Sequence, residues 1–398
     1  MKPISWRQNL FMVWLGQILA MAGTSLTLPF IPLYIRERFG IGEETQRGIY
    51  VSAFYFFGML SFCISNPLWG AVGDKYGRKL MLLRAYFVTG VTFPMMMFAP
   101  SILWLIVIRF VASIFSGTVS AAQALVVTTT PEKHHGFALG TLSTALWSGN
   151  MIGLLGGGMI VHYFGYTWAF ILCGATFLLG GFLTLFFVRE EFVPPPPQVA
   201  QPGRKRTGLP DFSTAVWMLM GLFFMLSLAR RFDEPFLAIL VEMIGGAETA
   251  AYHTGVISAL AALGGILSGM LFGYLSDRFA PVKIALPALA ASGAAMLAQA
   301  GADSLAVLGA ARFCAFFAVG GLEPVFLSVL SKVTRPERRG AAFGWSASAR
   351  VTGGLVGAAL GGVIVAFFGT RGVFLAGAVA MLLLVPVCGW LLKFCRSR

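Results

Sequence analysis

The run Arg230-Arg231-Phe232-Asp233-Glu234-Pro235 places four ionisable side chains between two apolar runs, Met218–Ala229 and Phe236–Val241. At helical spacing Arg230 reaches Asp233 at i+3 and Glu234 at i+4, and Arg231 reaches Glu234 at i+3. Pro235 breaks the helix ladder and frees backbone groups beside these charges. A further acid, Glu323, precedes Pro324 and has no partner within one turn of its own helix. Arg109, Arg312 and Arg350 stand in other apolar stretches, so the embedded arginines outnumber the embedded acids. Such acids can trade protons, and a surplus of guanidinium suits a carboxylate or phosphate. Ionisable groups in apolar surroundings are costly and mark a pathway by default. Internal ion pairing with a purely structural role is the other reading, and both stand open at this point.

Most of the chain exists to position these few groups. Its 398 residues are 57% hydrophobic and 11% charged, against roughly 25% charged in soluble domains. A membrane-spanning helix needs about 20 mostly apolar residues. Twelve stretches qualify: Leu10–Tyr34, Tyr50–Trp69, Leu80–Phe98, Ile102–Thr129, Phe137–Phe164, Trp168–Phe187, Phe212–Met243, Thr249–Leu275, Val282–Ala300, Leu305–Val333, Ala341–Phe368 and Val373–Phe394. Backbone polar groups must be satisfied inside lipid, so these are helices. Gly70 and Asp74 return as Gly273 and Asp277, 203 residues later, and Arg109 and Gly117 return as Arg312 and Gly320. After a one-residue slip, Gly149, Gly153, Gly157 and Gly158 return as Gly353, Gly357, Gly361 and Gly362. The chain is therefore expected to be two copies of one unit: six helices in 1–193, a proline-rich basic linker over 194–211, and six helices in 212–398.

Charge sets the expected orientation. With both termini cytoplasmic, only Arg36, Arg38, Arg47 and Arg371 lie outside; Arg109, Arg230, Arg231, Arg312 and Arg350 lie well inside the stretches, and the other twenty Lys and Arg lie in or beside the termini and the cytoplasmic loops. This placement accounts for the net charge of +13 without a nucleic-acid partner. The five cysteines have no metal-ligand spacing with His, and neither a nucleotide-binding loop nor a nucleophile–base pair is evident. No cofactor, metal or catalytic residue is expected.

The segment Gly70-Ala-Val-Gly-Asp74-Lys75-Tyr-Gly77-Arg78-Lys79 joins the second and third stretches, and its glycines permit a tight turn. It resembles the signature loop of the major facilitator superfamily, and Gly273-Tyr-Leu-Ser-Asp277-Arg278 resembles that loop's degenerate second copy. The resemblance implies a charge lock against a helix of the other half, favouring the outward-open state. Gly70, Asp74 and Arg78 map onto that role. Asp277 and Arg278 map in part, because Pro281 replaces the counterpart of Arg78. Arg109, eight residues before Gly117, is similar to the helix-4 arginine motif of proton-coupled antiporters, which implies a part in proton transfer. The run Gly149-Asn-Met-Ile-Gly153-Leu154-Leu-Gly156-Gly157-Gly158 is similar to the helix-5 antiporter motif, except that Leu154 stands where the family has proline. A straighter fifth helix follows, and the direction of transport is left open by that departure.

Leu28-Pro-Phe-Ile-Pro-Leu-Tyr34, Asn66-Pro-Leu-Trp-Gly70 and Gly77-Arg-Lys-Leu-Met-Leu-Leu-Arg84 extend the resemblance to the twelve-helix drug:proton antiporter branch of bacterial multidrug efflux proteins. It implies an all-α membrane protein of two pseudo-symmetric six-helix bundles. It also implies a multi-pass, monomeric protein of the bacterial inner membrane whose helices 1, 4, 7 and 10 line a central cavity. Arg230, Arg231, Asp233, Glu234, Glu323, Arg109 and Arg312 would then serve substrate and protons. The expected function is a secondary active transporter exporting amphipathic small molecules against protons by alternating access, with membrane lipids as its surroundings. Uptake of an anionic organic solute and flipping of a lysophospholipid are the alternatives.

Overall fold

The computed structural model describes residues 5–192, 212–276, 278–335 and 338–396. The linker expected over 194–211 and Asp277 lie outside the described residues. Among the described residues, eleven helical runs are long and apolar enough to cross a membrane. The first ten are α1 Trp6–Phe39, α2 Glu44–Tyr76, α3 Arg78–Phe98, α4 Ile102–Thr129, α5 Glu132–Phe164, α6 Tyr166–Phe187, α7 Thr214–Gly245, α8 Ala250–Ser276, α9 Pro281–Ala300 and α10 Leu305–Val333. The eleventh, Ala341–Phe394, is two crossings: Gly369 breaks it at φ 67°, ψ −177°. That backbone conformation is open to glycine at little steric cost. The arms are α11, 341–368, and α12, 370–394. Twelve crossings result, as the hydropathy pattern predicts, and no strand occurs among the described residues.

Four helices are interrupted near their middles, and they are the first and fourth of each half. A 3-10 turn over Leu28–Phe30 splits α1, and one over Glu234–Phe236 splits α7. Pro29 and Pro235 sit in these turns and remove ladder donors. α4 breaks between Ile114 and Thr118, where Gly117 has φ 111°. α10 breaks between Val319 and Leu322. Irregular backbone at membrane depth survives where protein or a cavity satisfies it. The Tyr55 hydroxyl, on α2, donates at 2.8 Å to the Leu28 carbonyl, which also accepts the Ile31 backbone N–H.

Glycine rows let the fifth helix of each half lie directly on the first. A Cβ at Gly149 would stand 2.6 Å from the Ile18 carbonyl oxygen, and one at Gly157 2.9 Å from Leu26 Cα. In the second half the same row runs through Gly353 and Gly357, against Phe224 and Leu228 of α7. The repeat mates Gly158 and Gly362 face outward instead and meet the opposite half. Gly158 packs on Ala251 and Gly255 of α8, and Gly362 on Ser52 of α2. Close backbone approach of this kind replaces hydrophobic driving force where lipid is the solvent.

The cores differ at the two ends of the molecule. One buried cluster runs along the first half and, away from the chain termini, crosses into the second, joining Val51 and Phe54 to Phe236, Leu240, Val365 and Phe374. Towards the termini the second half has a separate core built on Leu219, Phe223, Phe326 and Met381. The halves are therefore sealed together at the distal end and separate at the terminal end.

Candidate functional site

Between the halves lies a cavity of about 750 Å³, within the usual range of about 300–1,000 Å³ for small-molecule sites. Its wall takes Ser25 and Leu28 from α1, Tyr55 and Phe62 from α2, Trp147 and Asn150 from α5, and Ser258 from α8. The charges come from α7 (Arg230, Arg231, Glu234), α10 (Arg312, Glu323) and α11 (Arg350). Phe223 and Phe316 stand among them. Glu323 thus shares one chamber with Arg230, Arg231 and Glu234, while Asp233 is buried behind its wall. α4 supplies none of the lining residues among those described, in contrast to the family expectation. Arg109 lies apart from the cavity: its guanidinium stands 5.4 Å from the ring centres of both Phe54 and Phe93, inside the first half.

The pairing differs from the i+3 and i+4 pattern. The α-helix in α7 stops at Arg231, so Asp233 turns away from Arg230 and pairs with Arg312 of α10. Both side chains are almost fully enclosed, at 2% and 3% exposure. Arg312 also donates to the Gln299 side-chain oxygen of α9 at 3.1 Å, while Asp233 Oδ1 has no hydrogen-bond partner. Glu323 finds Arg350 at 3.0 Å, a partner on another helix that spacing along α10 could not show. Arg231 and Glu234 meet as expected but at 3.6 Å, both about half exposed. Arg230 has no carboxylate within ion-pair distance among the described residues; its guanidinium stands 5.7 Å from the Phe316 ring centre. Arg312 stands 4.8 Å from the same ring.

The chamber is shut at the distal end by contacts between the halves. Arg47 of α2 and Arg36 of α1 both hold Glu242 of α7, at 2.7 and 2.8 Å. Glu44 accepts from the Thr370 backbone N–H at the start of α12. Ser52 donates to the Ala358 carbonyl, and His162 meets the Glu248 carbonyl at 3.0 Å. At the terminal end the buried core of the second half stands separate from that of the first.

The α2–α3 loop keeps its contacts within its own half. Asp74 pairs with Arg78, and the Arg78 and Lys79 backbone N–H groups donate to Glu190 at 2.9 and 2.7 Å. Gly70 accepts from Arg78 at 3.4 Å. In the second copy, Arg278 stacks on the Tyr274 ring at 4.3 Å, and Asp277 is outside the described residues. α5 runs as one α-helix over His135–Phe164 through Leu154, as the missing proline predicts.

The sequence carries no signal of this sealing role for Glu242, Arg36, Arg47 and Glu44. Each sits near the end of a span, where a charge reads as an ordinary interfacial residue. Their importance comes from facing across the two halves, which no within-helix spacing records. Glu190 was likewise invisible, since it caps a helix 111 positions away.

A family model for the Major Facilitator Superfamily matches residues 13–243 and 219–397. The multi-drug resistance efflux pump PmrA of Streptococcus pneumoniae is 31% identical over 387 residues, covering 96% of this chain and 95% of that protein. The multidrug resistance protein MdtG of Escherichia coli is 31% identical over 381 residues, covering 96% and 93%. Among solved structures, the nucleoside transporter NupG aligns with a TM-score of 0.79 at 12% identity, over 97% of this chain and 99% of that one. A bacterial homologue of the human lysosomal transporter Spinster, in an inward-facing and occupied conformation, aligns with a TM-score of 0.72 at 15% identity, over 98% and 96%. At such identities these structures speak for the fold alone. With its duplicated six-helix halves and central charged chamber, the chain belongs to the major facilitator superfamily of membrane transporters.

Proposed function

We propose that the protein exports amphipathic small molecules across the bacterial inner membrane in exchange for protons, acting as a monomer by alternating access. The observation that carries this reading is the central chamber, which combines aromatic walls with ionisable groups and is closed at one end only. With both termini cytoplasmic, the open end faces the cytoplasm, where an exporter collects its cargo. The halves 1–193 and 212–398 rock about the chamber, with 194–211 as their tether. The named cargo class of PmrA and MdtG supports drugs as substrates.

Two acids are placed to carry protons. Protonating Glu323 releases Arg350, and protonating Asp233 releases Arg312, so each proton changes which charges the chamber presents. A bound ligand shifts the balance of two states only through its different affinity for them. Protons and substrate here contend for one set of charged groups, which ties occupancy by one to departure of the other. The loop around Gly70, Asp74, Arg78 and Arg278 closes the cytoplasmic end once the distal seal opens. Arg109 holds the first half together beneath Phe54 and Phe93.

Purified protein in proteoliposomes, loaded with a panel of fluorescent amphipathic drugs and given an imposed pH gradient, tests this reading. Drug movement should follow the gradient and stop when an ionophore collapses it. Movement that ignores the gradient would remove proton coupling from the account.

A further inference from the structure

The chamber's charges do not balance, and the imbalance has an address. Arg312 is held by Asp233, Arg350 by Glu323 and, more loosely, Arg231 by Glu234. Arg230 is the cavity-lining cation left without a carboxylate among the described residues. It is half-buried and lies against the Phe316 ring, which Arg312 also flanks. A guanidinium in a confined, partly apolar chamber is a strong site for a planar acidic group. Glu234 is its complement. Its contact with Arg231, at 3.6 Å, is too long for a hydrogen bond, and its side chain is 55% exposed.

We infer that the substrate is an amphipathic zwitterion whose acidic group docks on Arg230, whose ammonium group faces Glu234, and whose apolar body lies over Phe316 and Phe223. The inference rests on the export reading of the same chamber and names its cargo. Charge logic within that reading favours it. An acid alone, by cancelling part of the chamber's positive charge, would draw protons in with it. An ammonium group repels further protons from the chamber's carboxylates, as exchange requires. A purely cationic drug leaves Arg230 unmatched and meets it as a like charge. A zwitterion satisfies both groups and leaves the Asp233–Arg312 and Glu323–Arg350 pairs free for protons.

Four derivatives of 2-naphthylalanine separate the terms on one skeleton: the free zwitterion, its methyl ester (cation), its N-acetyl form (anion), and the N-acetyl methyl ester (neutral). Calorimetric binding to the purified full-length protein should rank the zwitterion at least tenfold tighter than each of the others. Arg230→Gln should bring the zwitterion down to the affinity of the methyl ester, and Arg230→Lys should restore part of the preference, showing that the site still folds. Glu234→Gln should bring the zwitterion down to the N-acetyl form. Equal binding of zwitterion and neutral compound would overturn the inference, as would a carboxylate preference that survives Arg230→Gln. Gradient-driven movement of the neutral compound as fast as the zwitterion would sink the cargo assignment alone. Tight zwitterion binding without gradient-driven movement of any of the four would sink the export reading instead.

Discussion

Arg47 of α2 donates to Glu242 of α7 at 2.7 Å, across the two halves and at the end of the molecule far from the termini. Arg36 takes the other oxygen of the same carboxylate at 2.8 Å. Arg47 is almost wholly enclosed, at 3% exposure, so removing the carboxylate leaves a buried cation behind. Breaking a buried pair by deleting one partner typically costs about 3–5 kcal/mol. Glu242→Gln should therefore weaken the distal seal and raise the population open at that end by at least tenfold. Spin labels on the distal ends of α2 and α7 would report it as a longer distance. An unchanged distance distribution would mean that the apolar core around Phe236 and Val365 holds the seal by itself.

The distal seal also depends on bare backbone. A Cβ at Gly158 would lie 2.9 Å from the Ala251 carbonyl oxygen and 3.0 Å from Gly255 Cα. Those are backbone atoms, and a Cβ at Gly362 would lie 2.6 Å from Ser52 Cβ, which side-chain rotation does not move. Overpacking costs typically about 1–3 kcal/mol. Gly158→Val should abolish transport while leaving each half folded, and Gly362→Ala should impair it as well. Retained transport in Gly158→Val would show that α5 and α8 do not need this approach.

The Asp233–Arg312 pair can be asked whether it is structural, coupling or both. Asp233→Ala leaves Arg312 buried without its counter-charge and should destabilise the protein by about 3–5 kcal/mol in a chemical-denaturation series. The double replacement Asp233→Leu with Arg312→Met should recover most of that stability. If the pair is structural only, the double variant also recovers proton-driven transport. The account expects it to remain folded and uncoupled.

The glycine rows show how much the sequence could settle. Gly149, Gly153 and Gly157, and their mates 204 residues on, predict a close face, and that face lies on α1 and α7 as helical periodicity requires. The twelve spans and the break at Pro235 follow from equally local causes, apolar length and a missing donor. Partners were legible only where the helix is regular. The i+3 spacing puts Asp233 within reach of Arg230 only along an unbroken α7, yet the helix stops at Arg231 and the side chain turns to α10. Glu323 found Arg350, and Glu242 found Arg47, across distances that only the assembled bundles define. The cavity walls of α2, α5, α8 and α11 were hidden for the same reason. Which faces meet depends on the state of the two halves, and a sequence encodes more than one state.

Within the chamber, Glu323→Gln should leave the protein folded, because its side chain is 40% exposed and Arg350 can be solvated. It should weaken the response of transport to an imposed pH gradient rather than abolish binding. Flux in proteoliposomes with and without the gradient would show the loss; an unaltered response would assign the proton to Asp233 alone.

The most direct measurement is proton counterflow. Proteoliposomes enclosing a pH-sensitive dye, with no initial pH difference, are given an outward gradient of the best-transported compound. Outward substrate movement should drive protons inward and acidify the lumen, and combining Asp233→Asn with Glu323→Gln should remove the pH change. Substrate flux through the wild-type protein with a constant lumenal pH would contradict proton exchange.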